Sequence, residues 1–466
     1  MDPANERLPQ HIHLIGIGGS GLSAIARVLA LRGHTVSGSD LHASALTAEL
    51  GQLGVATYVG HAAGQLGAAE MVVVSSAVPE ENPEVRAARE RGIPVLKRQH
   101  FLGRLMAGYD GVAVAGTHGK TTTSAMVAVA LERAGLEPSF IIGGVIGELG
   151  TNARAGRGRP FVIEADEYDR MFHGLRPRVA VVTNLEMDHP DCYPTLAELR
   201  EAFSVFLGGV QPGGAIIAGA DSPELARVLA GRPAGGPECV TYGYAAGAEY
   251  RVADVEPNGR GGVDFRVLRG GAEWGRVSLA LPGAHNALNA TAALLACARC
   301  GLAPAEAGRL LADFHGVRRR FEVKGCRAGV TVIDDYAHHP TEVRATLAAA
   351  RGRYPGASIW AVFQPHTYSR MRALLGELGG CFVDADHLIV TDVYAARARE
   401  QVTIGMDELL AAIGHPEARH MADLGAIADW LAPRLAPGDV LLTLGAGDGD
   451  RVGEQVLARL AKRGDR

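Results

Sequence analysis

The 466-residue chain is 47% hydrophobic and 21% charged, a globular composition, and its length predicts about three domains of ~100–200 residues each. A formal net charge of −5 offers no electrostatic footprint for nucleic acid. No apolar run reaches the ~20 residues of a membrane span, so neither nucleic acid nor a membrane is expected as a partner.

The polar opening Met1-Asp-Pro-Ala-Asn-Glu-Arg7 lacks the apolar stretch of a secretory signal. The cysteines, Cys192, Cys239, Cys297, Cys300, Cys326 and Cys381, are scattered, which suits a reduced compartment. Both features predict a cytoplasmic protein. Cys297 and Cys300 form a C-x-x-C within a helix pattern that puts both on one face. A zinc site would need a second pair, and none stands at suitable spacing, so buried core thiols are expected.

Strand-like and helix-like runs alternate, which predicts an α/β chain. The first segment, residues 1–108, opens with the strand His11–Ile15 and the loop Gly16-Ile-Gly-Gly-Ser-Gly21, followed by a helix pattern from Leu22 to Leu31. Thr35–Asp40, Met71–Ser76 and Ile93–Leu96 read as further strands. The loop is a G-x-G-x-x-G with Asp40 about 20 residues further on, the dinucleotide fingerprint. It accommodates a diphosphate and does not distinguish NAD from a UDP-sugar. No hydride-transfer site is evident later in the chain, which weighs against a dehydrogenase.

The second segment, residues 109–322, begins with the apolar run Val112–Ala115 and the loop Gly116-Thr-His-Gly-Lys-Thr121. Such a loop turns backbone N–H groups and a helix N-terminus toward an anion. Lys120 can reach terminal phosphates, and the Thr121 hydroxyl can ligate Mg²⁺, so ATP and Mg²⁺ are the expected cofactors. Val114 stands where the standard phosphate-loop pattern has its first glycine. Phe161–Glu164 and Val179–Asn184 read as buried strands that end in acidic clusters, bringing Glu164 and His189 into the reckoning as metal ligands beside Thr121. Residues 232–275 read as a small antiparallel excursion.

The third segment, residues 323–466, holds the apolar runs Val330–Asp335, Ile359–Phe363, His387–Thr391 and Val440–Leu444. Their carboxyl ends carry polar residues, where ligands bind in open α/β sheets.

The motifs G-T-H-G-K-T-T, E-A-D-E, T-N-x-x-x-D-H, H-N-x-x-N, R-R-F and D-D-Y-x-H-H-P-T-E occur in this order. With them the chain resembles the Mur ligase family over nearly its whole length. The resemblance implies three domains: a Rossmann-like N-terminal domain, a central P-loop ATPase domain and a Rossmann-like C-terminal domain. It also implies an ATP-dependent ligase acting on UDP-N-acetylmuramate and an amino acid, as a monomer or weak homodimer. By the same resemblance Gly16, Gly18, Gly19, Gly21, Ser39, Asp40, His61 and Ser76 hold the UDP-sugar. Gly116, Thr117, His118, Gly119, Lys120, Thr121, Thr122, Asn286 and Asn289 seat ATP, joined by Arg320 and Asp335 from the third domain. Thr121 and Glu164 match Mg²⁺ ligands, and His189 matches the ligand of a second metal.

Tyr336, His338 and His339, with His366 and Arg370, are implied to lie beside the reaction centre. The segment Phe363-Gln-Pro-His366 is similar to the branch that adds L-alanine rather than the branch that attaches recycled tripeptide. Tyr168 stands where many alanine-adding members have Ser, and Thr367 where Arg is common. The incoming ammonium needs a base, and His338 and His366 are both candidates. A non-catalytic nucleotide sensor would keep the glycine loops but has no use for Glu164, His189, Asp335 and the histidine-rich motif together.

Overall fold

The computed structural model describes residues 7–395 and 402–464; apart from Arg7, the polar opening lies outside the described residues. Three sheets follow one another along the chain. The first has five parallel strands in the spatial order Ala56–Val59, Thr35–Asp40, His11–Ile15, Met71–Val74 and Val95–Lys97. This is a doubly wound order with its switch point at the carboxyl end of His11–Ile15. The Gly16–Gly21 loop occupies that point and feeds the helix Ser20–Leu31, which starts earlier than its apolar pattern predicts. The edge strand Ala56–Val59 is missing from the sequence reading because its mostly exposed side chains carry no apolar run.

The second sheet has ten strands. Asp110–Ala115 lies between Pro160–Glu164 and Val179–Val182, all parallel and covered on both faces, which accounts for their unbroken apolar runs. The phosphate loop leaves this strand and enters the helix Lys120–Arg133, buried along most of its length against the alanine-rich helix Ala284–Arg299. At the far edge Tyr250–Pro257, Val263–Arg269 and Ala272–Ser278 form an antiparallel meander. It is not a separate excursion: Tyr250–Pro257 pairs in parallel with Glu238–Gly243 and so extends the main sheet.

The third sheet runs Glu322–Arg327, Val330–Asp335, Val440–Leu444, Ile359–Phe363, His387–Val390 and Ala418–His420. All pairs are parallel except the first. One apolar cluster joins the first two domains, packing Ile25, Leu29 and Phe101 with Phe161, Phe172 and Phe203. The third domain has its own clusters on the two faces of its sheet. Among the described residues no helix is long and apolar enough to cross a membrane. All six cysteines are free, with Cys297 buried in the core as expected.

Candidate active site

The phosphate loop is held open by its glycines. Gly116 and Gly119 have φ of 129° and 81°, and a Cβ at either would overlap a neighbouring side chain, Thr183 or Asn289. The loop backbone is pinned from the next strand. Thr117 N donates to Asn184 O at 3.1 Å, and His118 N donates to Asn184 Oδ1 at 2.9 Å. Lys120 Nζ donates to Gly116 O (2.7 Å), Thr117 O (3.1 Å) and Glu167 Oε1 (2.9 Å). Burial opposes its charge, but Glu167 and Asp166 outweigh that and raise its pKa.

A cavity of about 470 Å³ opens beside the loop, between the second and third domains. Its walls include Thr121, Thr122, Asn286 and Asn289 from the second domain, Arg320 at the junction and Asp335 from the third. Asn289 Oδ1 accepts from Thr123 at 3.3 Å, and its amide donates to Asn286 at 3.1 Å, so both asparagines are fixed by the helix pair. Asp335 accepts N–H bonds from Phe321 and Ala337, each at 2.7 Å, and burial raises it to about 6. Arg320 lies over the Tyr336 ring at 4.9 Å and 3.7 Å from Glu342.

The expected metal ligands occupy two corners. In one, Thr121 Oγ1 donates to Glu164 Oε1 at 3.0 Å, while Gly143 N donates to Glu164 Oε2 at 2.7 Å. A hydroxyl and a carboxylate oxygen suit Mg²⁺. His189 is in the other corner, not on that pair: its Nε2 is 3.6 Å from Asp188 and 3.8 Å from Glu167. Ligand atoms of Asp166, Glu167 and His189 converge within 4.8 Å. Glu167 Oε2 is buried there without a hydrogen-bond partner, an oxygen left free for a cation, and burial raises this carboxyl against the opposing pull of Lys120. His189 is also held in the left-handed region, φ 52°.

In the third domain His338 Nδ1 lies 2.8 Å from Tyr336 O, and its ring is 5.5 Å from that of His366. Burial, then Arg370, pulls His338 down to about 3; the same two causes pull His366 down to about 4. Arg370 reaches back to the second domain, its Nε donating to Asp188 Oδ1 at 2.7 Å. It also contacts His366 Nδ1 at 3.0 Å and His189 Nδ1 at 3.4 Å. Thr367 is buried with φ 61° at the start of the helix carrying Arg370, and the Tyr168 ring lies 5.1 Å from His189. Both departures from the family pattern are therefore inside the site.

In the first domain Asp40 is turned onto the glycine loop, accepting from Gly18 N at 2.9 Å. Ser39 lies beneath the surface of this site. It is fully buried, donating to Glu84 at 2.5 Å with His61 Nδ1 at 2.9 Å, so His61 is the partly accessible end of that network. Ser76 is exposed, two residues beyond the strand Met71–Val74 at the carboxyl edge of the first sheet.

Sequence reasoning missed several participants. Glu186 and Glu342 stand inside quoted motifs but were given no role; both pair with His118, the latter at 3.1 Å. Tyr242, Leu281 and Asp221 line the large cavity from remote strands and loops, with no local signal to mark them.

Residues 11–110 match the model for the Mur ligase family catalytic domain, 114–297 the Mur ligase middle domain and 319–447 the Mur ligase glutamate ligase domain. The chain is 44% identical over 454 residues to a UDP-N-acetylmuramate–L-alanine ligase of Rubrobacter xylanophilus, covering 96% of this chain and 100% of that one. It is 49% identical over 460 residues to the enzyme of that name from Kineococcus radiotolerans, covering 97% and 96%. The crystal structure of UDP-N-acetylmuramate–alanine ligase from Thermotoga maritima superposes with a TM-score of 0.80 at 28% identity, covering 98% of this chain and 100% of that one.

Proposed function

The chain belongs to the Mur ligase family, and from that premise we propose that it joins L-alanine to the lactyl carboxylate of UDP-N-acetylmuramate. ATP is consumed and ADP and phosphate are released, in the synthesis of peptidoglycan precursor in the cytoplasm. Residues 1–108 take the UDP-sugar, 109–322 ATP and 323–466 the amino acid. The observation that carries this reading is the shared cavity, in which the phosphate loop and helix Ala284–Arg299 face Arg320 at the domain junction and Asp335 beyond it.

A lactyl carboxylate oxygen attacks the γ-phosphorus of ATP, and the bond to the β-phosphate oxygen breaks, giving an acyl phosphate and ADP. The alanine amine then attacks the acyl carbon and loses a proton, and phosphate leaves. The first step brings two anions together. Lys120 and Arg320 supply fixed positive charge where it develops. Mg²⁺, held by Thr121 and Glu164 and in a second place by Asp166, Glu167 and His189, would neutralise phosphate charge when bound. Closure of the third domain on the second excludes water from a hydrolysable intermediate.

The proton from the amine goes to His338. Tyr336 O is an acceptor, so Nδ1 of His338 carries hydrogen and Nε2 carries the lone pair. His366 is the reverse: the Arg370 guanidinium only donates, so it occupies the lone pair of Nδ1 and leaves Nε2–H.

The test is phosphate release from ATP and Mg²⁺ with UDP-N-acetylmuramate, comparing L-alanine with the tripeptide L-Ala-γ-D-Glu-meso-diaminopimelate. Release that requires both the UDP-sugar and L-alanine is expected. Release with the tripeptide alone would move the protein to the recycling branch. Reduction of NAD with no phosphate release would return the glycine loop to a dehydrogenase.

A further inference from the structure

Arg98 begins the helix Arg98–Met106, directly after the edge strand of the first sheet. That helix crosses onto the Tyr168–Gly174 turn of the second domain, backbone against backbone. A Cβ at Gly103 would overlap Gly174 O, and a Cβ at Gly174 would overlap Gln99 O. The start of the helix is thereby fixed to both domains. Arg98 Nε contacts Met171 Sδ at 2.8 Å, which aims the guanidinium at the glycine loop. Its terminal nitrogen takes the place a Cβ of Gly21 would fill. Gly21 has no unusual φ, so what its missing side chain leaves is room, and the end of the arginine occupies that room.

The guanidinium borders a cavity of about 100 Å³ between the two domains. Ser20 and Gly21 form one side, at the positive end of helix Ser20–Leu31; Gly143, Glu164 and Asp166 form the other. The nearest carboxylate is Asp166, at 4.0 Å. The terminal nitrogens make no hydrogen bond to any described residue. So distant a partner repays little of the cost of placing a guanidinium in a cleft, where an apolar side chain would fill the space as well. The cavity lies between the loop read as the diphosphate site and the Thr121–Glu164 pair, a course the UDP-sugar must span.

We propose that Arg98 binds an anionic group of the UDP-sugar, its diphosphate or its lactyl carboxylate, and holds the substrate across the junction of the first two domains. This rests on the function proposed above. A bidentate arginine suits either anion, and its terminal nitrogens hold no hydrogen bond to a described residue that the ligand would have to displace.

The experiment is calorimetric binding of UDP-N-acetylmuramate, UDP-N-acetylglucosamine and ATP to the native protein, R98M, R98K and G21A. Expected for R98M is a Kd for UDP-N-acetylmuramate raised about tenfold or more, the scale of a lost charged hydrogen bond, with ATP binding within about twofold. R98K should recover part of the loss. G21A, which displaces the guanidinium without removing it, should resemble R98M. An equal loss for UDP-N-acetylglucosamine, which lacks the lactyl group, assigns the diphosphate; a loss confined to UDP-N-acetylmuramate assigns the carboxylate. R98M that keeps its melting temperature and binds UDP-N-acetylmuramate like the native protein overturns the proposal, as does an equal loss for ATP. Failure of the native protein to bind any UDP-sugar overturns the functional reading itself, and is seen before any variant is made.

Discussion

His118 in the phosphate loop and Glu342 in the third domain lie 3.1 Å apart, Nδ1 to Oε1, while the other ring nitrogen of His118 meets Glu186 of the second domain. The loop is thus tied electrostatically to the position of the third domain. Burial opposes the imidazolium, but Glu342 and Glu186 outweigh it and raise His118 to about 9. An unfolded histidine titrates near ~6.5, so the stabilisation is complete below that pH and is lost as pH rises through about 9. The whole shift is worth roughly 3 kcal/mol. Melting temperature followed from pH 6 to 10 should therefore fall more steeply for the native protein than for E342Q, in which His118 keeps only Glu186. Parallel curves would remove this pair from the account of stability.

Lys120 and Glu167 are a second charged pair, 2.9 Å apart, with the carboxylate side chain 2% exposed. Removing the lysine leaves a buried carboxylate without its partner, at a cost of about 3–5 kcal/mol unless it takes up a proton. K120A is expected to form no ADP, to melt lower than the native protein and to bind UDP-N-acetylmuramate within about twofold, because the nucleotide end of that substrate is held by the first domain and Lys120 faces the ATP phosphates. K120A/E167Q should regain most of the melting temperature and none of the activity. Differential scanning calorimetry beside an ADP assay separates the two effects. Near-normal turnover in K120A would remove the central claim about the loop.

Asp188 and Arg370 bridge the second and third domains at 2.7 Å, both almost fully buried. Burial works against the carboxylate, but Arg370 and His189 hold it well below the usual range. The pair therefore persists at neutral pH and breaks only in strong acid. R370M should cost about 3–5 kcal/mol in urea unfolding, because it strands Asp188, while D188L/R370M should recover much of that loss. Both variants should lose activity, since Arg370 also touches His189 and His366. Full activity in the double variant would make the pair purely structural.

What the sequence revealed follows from where the information sits. Val330–Asp335, Ile359–Phe363 and Val440–Leu444 are strands buried on both faces, and each has the bounds its apolar run predicts. Ala56–Val59 is an edge strand with exposed side chains, and no run marks it. Thr121 and Glu164 were legible because each ends or follows a strand of the same sheet. The partners of His118 were not, because Glu342 reaches it only once the third domain has docked. Gly21 was legible as one glycine of a fingerprint, but the guanidinium of Arg98 that occupies the space beside it is remote in sequence. Ser39 and His61 were read as equals; burial separates them into a hidden hydroxyl and a partly accessible imidazole.

The choice of base was open in the sequence because His338 and His366 are the same residue type in neighbouring motifs. Their hydrogen-bond partners separate them. Tyr336 O, at 2.8 Å, fixes hydrogen on Nδ1 of His338 and frees Nε2 as an acceptor. Arg370, at 3.0 Å, occupies the only lone pair of His366. Burial and Arg370 draw the two rings down to about 3 and about 4, so both are neutral at pH 7 and neither holds a proton strongly. H338Q should lower kcat by about 10²–10⁴, the range for loss of a general base, while the first turnover still forms ADP, because phosphoryl transfer precedes deprotonation of the amine. H366Q keeps a side-chain donor and should lower kcat less. Rapid-quench measurement of ADP in the first turnover, set beside steady-state kcat, distinguishes them. Loss of the ADP burst in H338Q would place that imidazole in the phosphoryl-transfer step, and a larger fall in kcat for H366Q would transfer the base to the ring that Arg370 holds.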